Sequence, residues 1–380
     1  MRRSGAAAAW TTSAAELDLT ATRRAAVWAL LAAKVVGGWG LGWDIRWHLL
    51  IGRDSFWIPP HVLTYASVTA GTAIAFGVVG LETWRARGGR PAVGTVRLAG
   101  LVGTPGFHLV WLGMVLTIVA APIDDLWHRL FGIDVTLWSP PHLLGLAGAQ
   151  VSTLALLITA REVWPAGSRA RPAAVLAAGT LLFGTFAIIA DPAHRIAFLY
   201  GGLRFFTWPV LLATVSAFSF VLTARLAGTR WAPVAVTVLA LVLQLSMWWV
   251  ADVGFYVARP VSVIHEVLAA DDGTSPIAVA HEMARRNGAT PGRSLTPRVV
   301  PLLPALVLAL VDARRRGPAP ALAFGAAMFA AATLMIVRMP ALSHAMPGSP
   351  AFMAGLALTL LGASAGAALG GRLAARIEMR

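Results

Sequence analysis

Apolar residues run along this chain in long blocks separated by short polar segments. The blocks fall at roughly 25–47, 61–84, 104–123, 142–163, 173–190, 199–226, 231–257, 299–313, 318–338 and 350–371. An α-helix needs about 20 apolar residues to cross the hydrocarbon core of a bilayer. Most of the blocks reach or approach that length, and the eighth is the shortest. The pattern predicts an all-α, polytopic membrane helical bundle of about ten transmembrane helices.

Composition agrees with that reading. Of 380 residues, 57% are hydrophobic and only 13% charged, against about twice that charged share in a soluble domain. The net charge of +14 raises the question of nucleic acid. The arginines, however, sit in clusters between apolar blocks, where they orient helices, so no nucleic-acid partner is expected. One alternating set of connections holds Arg2, Arg3, Arg23 and Arg24; Arg85, Arg87, Arg90 and Arg97; Arg161, Arg169 and Arg171; Arg225 and Arg230; Arg314–Arg316; and Arg372, Arg376 and Arg380. By the positive-inside rule these face the cytoplasm. Both termini are then cytoplasmic, in a cell (inner) membrane, and residues 1–24 form a cytoplasmic tail. The other connections are poorer in arginine and hold most of the His and Asp. The longest of them, 258–298, carries His265-Glu266 and His281-Glu282 and reads as a structured outer loop or interfacial helix. Trp84, Trp164, Trp208 and Trp231 near the block ends suggest an aromatic belt. With no cysteine, disulfides, thiolate metal sites and thiol nucleophiles are excluded.

Self-comparison finds a repeat that carries chemistry. The first copy reads Asp44, Trp47-His48, Gly52, Asp54, Trp57 and Pro59-Pro60-His61. The second reads Asp124-Asp125, Trp127-His128, Gly132, Asp134, Trp138 and Pro140-Pro141-His142. Four of the nine histidines and five of the eleven aspartates fall in these two segments, so the polar chemistry is concentrated there. The duplication covers 25–84 and 104–163, leaving 164–380 as an additional six-helix membrane region.

Spacing explains how each copy assembles. Asp44 and His48, four apart, share one face at the end of a helix. The Pro-Pro step then starts the next helix and places His61 in its first turn, so one carboxylate and two imidazoles converge from adjacent helices. Asp124, His128 and His142 repeat the arrangement. Such a set leaves coordination positions open and suits copper, iron or zinc. Asp54 and Asp134 either orient an imidazole from behind or cap the loop. The plainer reading of all these groups is paired helix-end architecture, and the doubling weighs against it.

At these residues the chain resembles the C subunit of the particulate methane and ammonia monooxygenases, the copper membrane monooxygenase family. That subunit has an Asp-x3-His-x12-His set, which Asp44, His48 and His61 match together with Trp47, Arg53, Asp54 and Pro59. Its second set, Asn-x3-His-x13-His, corresponds in spacing to Asp124, His128 and His142, with Asp124 in the place of Asn. The resemblance spans 25–163. It implies two neighbouring metal positions, at least one a copper site linked to hydroxylation of a small apolar substrate with O2, with Asp44, His48 and His61 the catalytic set. Other monooxygenase-type subunits or an electron donor would be partners. The alternatives are a copper or zinc transporter or acquisition protein without oxygenase activity, and a zinc-dependent hydrolase.

Other polar groups are weaker signals. Asp191 and His194 offer a further ligand or a proton relay, or simply a helix-terminating turn. His344 and the two His-Glu pairs read as surface residues. Asp252 is a functional acid within the membrane unless a partner such as Arg259 makes it structural. Lys34 lies ten residues from Asp44, too far for direct contact. His108 reads as packing, Met328, Met335 and Met339 as core or a thin path for a transported metal, and Ala363, Gly370 and Gly371 as close helix packing.

Overall fold

A computed structural model of the chain describes residues 5–89, 91–131 and 136–379, with side chains from Leu19 onward. Arg2, Arg3, Arg90, Gly132, Asp134 and Arg380 lie outside the described residues.

The chain is a helical bundle. Its helices are α1 (Gly5–Leu50), α2 (Pro59–Arg87), α3 (Pro105–Phe131), α4 (Pro140–Val163), α5 (Ala170–Ala190), α6 (Ala193–Tyr200), α7 (Thr207–Ala227), α8 (Ala232–Ala258), α9 (Ile264–Ala270), α10 (Pro276–Arg286), α11 (Thr296–Val299), α12 (Leu302–Leu310), α13 (Ala319–Arg338) and α14 (Ser349–Glu378). A small antiparallel hairpin, β1 (Val96–Leu98) and β2 (Leu101–Gly103), joins α2 to α3. Nine helices among the described residues are long and apolar enough to cross a membrane. Their outward faces are apolar at helical spacing: Leu109, Leu112, Val115, Val119, Ile123, Leu126 and Leu130 on α3 are exposed, as are Leu239, Val242, Leu245, Trp249, Val253 and Tyr256 on α8. Such continuous stripes suit lipid, because water would oppose their exposure.

The expected eighth block differs from the rest. It is two short helices, α11 and α12, because Pro301 and Pro304 withhold the backbone donors a continuous helix needs. The chain still travels the length of the bundle here. Arg298 pairs with Asp191 beyond the end of α5, and Arg314 reaches the Gly228 carbonyl at the opposite end, beyond α7. The run at 25–47 also proves to be part of a longer helix, since α1 extends from Gly5 to Leu50. Arg23 accordingly lies within the bundle, buried and paired with the buried Glu82 of α2 at 2.6 Å.

Two large apolar clusters hold the bundle together. One joins α1–α5 with the ends of α7 and α14, around Leu30, Val79, Phe107, Leu156 and Leu182; the other joins α5–α8 with α12–α14, around Trp208, Phe220, Phe324 and Met328. Small residues in α14 permit its tight packing on α7: a Cβ on Gly366 or Gly370 would strike the carbonyls of Thr214 and Phe218. The four tryptophans near the block ends divide into two pairs. Trp84 and Trp231 are exposed, whereas Trp164 packs edge-on against Trp28 and Trp208 lies buried against the His194 ring. Apolar partners within the bundle outbid the interface for these two rings.

Close backbone approach positions the site. A Cβ on Gly40, one turn before Asp44, would lie 2.9 Å from the Thr64 nitrogen of α2. One on Gly113 would lie 2.6 Å from the Ser152 nitrogen of α4. These two contacts bring α1 against α2 and α3 against α4.

Candidate metal centres

Both triads assemble. In the first, Asp44 Oδ1 lies 3.1 Å from His61 Nε2 and 3.5 Å from His48 Nε2. In the second, Asp124 lies 3.4 Å from His128 Nε2 through Oδ2 and 3.4 Å from His142 Nε2 through Oδ1. The ring pairs also match: His48–His61 and His128–His142 each have centroids 6.3 Å apart, with interplanar angles of 56° and 60°. Within each triad the three donor atoms lie within 4.8 Å of one another.

These atoms fit a metal ion on two counts. Asp44 Oδ1 and Asp124 Oδ1 are buried outside ideal hydrogen-bond geometry, their nearest polar atoms being His61 Nε2 at 3.1 Å and His142 Nε2 at 3.4 Å, an expensive state for a carboxylate oxygen. The same atom is orphaned in both copies. The observed spacings of 3.1–3.5 Å also match the edge of a coordination polyhedron: ligands about 2.1 Å from a common ion, at tetrahedral to octahedral angles, stand about 3.0–3.4 Å apart.

Neighbouring groups orient the imidazoles. His142 Nδ1 lies 2.7 Å from the Thr136 carbonyl. A neutral ring therefore carries its proton on Nδ1 and turns the Nε2 lone pair toward Asp124. In the first copy the Ser55 backbone, at the same six-residue offset from His61, lies beside that ring outside ideal hydrogen-bond geometry. Asp54 is within electrostatic reach of His61, but its carboxylate accepts from the Ser55 amide at 2.7 Å and so caps the loop. Asp134 lies outside the described residues. Asp125 pairs with Arg129 at 2.6 Å rather than with the triad.

Tryptophans pin the two turns in different ways. Trp47 donates to the Arg53 carbonyl at 3.0 Å, whereas Trp138 donates to the Ile189 carbonyl of α5 at 2.7 Å. Trp138 thereby attaches the second turn to α5, whereas Trp47 closes the first turn locally.

Both triads line one cavity of about 870 Å³. Asp191 and His194 also line it, with His194 Nδ1 3.7 Å from Asp191 Oδ1, but Asp191 is engaged by Arg298 at 3.0 Å. Met339 is on the wall, while Met328 and Met335 are core. His265, His281 and His344 are not on the wall. His281 instead bonds the Leu49 carbonyl at 2.7 Å, and His344 packs edge-on against Phe198. His108 is buried at the other end of the bundle, between the Val96 carbonyl and the Trp111 indole.

Asp252 has partners other than Arg259. The buried Arg46 binds it at 2.7 Å and Arg293 at 3.2 Å, while Arg259 lies over the Tyr256 ring. Arg46 stands two residues from Asp44, on the opposite side of α1, and couples the ligand helix to α8. Its single intramembrane charge was the only signal the sequence offered.

Comparison with protein-family models, with characterised proteins and with solved structures finds no match to this chain.

Proposed function

We propose that this chain is a membrane metalloprotein in which each triad holds one transition-metal ion, copper foremost, and that it acts as an oxygen-dependent monooxygenase on a small apolar substrate. One observation carries the reading: two carboxylate–bis-imidazole triads with the same orphaned oxygen face a single cavity. The resemblance over 25–163 supports copper and oxygen chemistry in particular.

Asp44, His48 and His61 would hold one ion, and Asp124, His128 and His142 the other. Three protein ligands leave positions open at each. Bound copper supplies the redox chemistry that lets O2 place one oxygen atom in the substrate and release the other as water, consuming two electrons from an external donor and two protons. The chain's own residues do the positioning. The Thr136 carbonyl holds the His142 ring, and apolar side chains such as Leu41, Ile45 and Leu146 line the cavity and admit an apolar molecule. The arginine clusters at the opposite end orient the triads toward the extracytoplasmic side.

A metal-transport role is less well supported. Lys34 lies on the cavity wall deeper in the bundle, and among the described residues no ion pair neutralises it. A cation on the inward path repels a second cation in a medium of low dielectric, which suits a resident metal better than a travelling one.

The test is elemental analysis of protein in lipid nanodiscs, wild type beside His48→Ala and His128→Ala. The expected result is up to two equivalents of copper, lost one site at a time, followed by O2- and reductant-dependent product from an apolar substrate. Zinc alone would redirect the reading toward hydrolysis or transport. No metal after reconstitution would overturn it.

A further inference from the structure

The cavity's inner end contains a basic group that the metal triads do not use. Lys34 lies on α1 ten residues before Asp44, a separation of roughly 15 Å along the helix axis. Both residues line the same cavity. Lys34 Nζ donates to the Ala149 carbonyl at 3.1 Å and to Ser152 Oγ at 2.6 Å. Both acceptors are neutral, and the ammonium has a third N–H. No carboxylate among the described residues pairs with it. Charged groups at this depth are costly and ordinarily face a partner or a polar cavity.

We infer that the inner end of this cavity is a subsite for a carboxylate, and that the molecule it takes is an unbranched aliphatic carboxylate lying along the cavity with its head on Lys34 and its far end at the triads. The wall between the two ends is made of small and apolar residues, including Gly37, Gly38 and Leu41 of α1 and Met114, Ile118 and Leu146 opposite. An alkyl chain matches that wall. An anionic head supplies the missing counter-charge and accepts the third N–H, where an amine or metal cation would be repelled and an alkane would leave the ammonium unpaired. Gly38, on the α1 face next to Lys34, leaves open space there, since a Cβ on it would meet nothing within 4 Å. This names the substrate class of the proposed oxygenase and rests on that reading only for what happens at the far end.

The experiment is equilibrium binding of radiolabelled dodecanoate, whose extended length approximates the Lys34-to-Asp44 span. It uses metal-stripped protein in zwitterionic nanodiscs, with empty discs subtracted. Dodecanol and dodecylamine serve as probes of the same length. Saturable binding of one dodecanoate per chain is expected, at least tenfold tighter than dodecanol or dodecylamine. Lys34→Gln keeps a donor toward Ala149 and Ser152 while removing the charge, and Lys34→Met removes both. Each should weaken dodecanoate binding at least tenfold without altering metal content on reconstitution. Equal binding of dodecanol, unchanged binding in a correctly folded Lys34→Gln, or no saturable binding would overturn the subsite. His48→Ala and His128→Ala separate the two readings. If wild type bound no metal on reconstitution yet wild type and these variants all held dodecanoate, the oxygenase proposal would fail and the subsite would stand.

Discussion

His142 Nδ1 and the Thr136 carbonyl are 2.7 Å apart, across the turn that delivers the chain into α4. That one contact decides which nitrogen faces Asp124. Thr136→Gly, which loosens the turn without touching a ligand, should lower second-site metal affinity by about 10-fold, the lower end of the range for groups that orient a metal-binding imidazole. Metal titration with Asp44, His48 and His61 intact should show first-site affinity unchanged. Equal loss at both sites would mean that the turn supports the cavity as a whole.

The orphaned carboxylate oxygens imply an opposition between stability and binding. Asp44→Asn and Asp124→Asn keep the shape and remove a buried charge whose Oδ1 meets only an imidazole Nε2, outside ideal hydrogen-bond geometry. In metal-free protein each should raise resistance to denaturant by about 1 kcal/mol, while the metal content of the altered site falls steeply. Parallel unfolding curves and elemental analysis would check this. A destabilised metal-free Asp44→Asn protein would show that the carboxylate is held by something other than an ion.

Arg46 and Asp252 fasten α1 to α8. Arg46 also donates to the Trp248 carbonyl and is buried, while Asp252 is about 39% exposed and shares Arg293. Because solvent and a second arginine compensate Asp252, Arg46→Ala should cost about 1–3 kcal/mol, less than a fully buried pair. Asp252→Asn should cost less still. The comparison requires reversible unfolding in mixed micelles. A larger loss from Asp252→Asn than from Arg46→Ala would reverse this assignment of roles.

Asp312, in the turn between α12 and α13, gives a pH-dependent prediction. The Arg314 side chain, hydrogen-bonded to it at 2.9 Å, holds its carboxyl down at about 2. Its contribution is fully present above the ordinary carboxylate range and is lost as pH falls through about 2. Thermal unfolding of wild type and Asp312→Asn should therefore differ at neutral pH and converge in acid. Asp312 also adopts φ +66°, which Asn tolerates better than Ala. Asp312→Ala should be the less stable of the two variants by about 1 kcal/mol.

The membrane-spanning helices were legible because a bilayer asks for one simple thing, a long apolar run, and Leu19–Leu50 or Ala232–Ala258 satisfies it visibly. The triads were legible because four-residue spacing and a Pro-Pro start fix direction locally. Where the reading failed, the deciding partner was remote or the property was not hydropathy. Pro301 and Pro304 sit in an apolar run like its neighbours, yet they interrupt backbone pairing. Trp164 and Trp208 occupy helix ends like any belt residue, and only the packing of Trp28 and His194 shows that they turn inward. Arg46 could not be matched to Asp252, 206 residues away, without the fold.

The ligand helix also depends on chain that comes much later. At the end of α1 the Leu49 carbonyl accepts from His281, the Leu50 carbonyl from Ser262 and the neighbouring Ile51 carbonyl from the Val263 amide. A helix end leaves such carbonyls without partners of its own. The segment beyond α8 thus serves as a remote C-terminal cap, just beyond Asp44 and His48. A protease nick between Asp271 and Thr274 would sever no ligand, yet it would let that terminus fray, and the first triad would lose its geometry before the second.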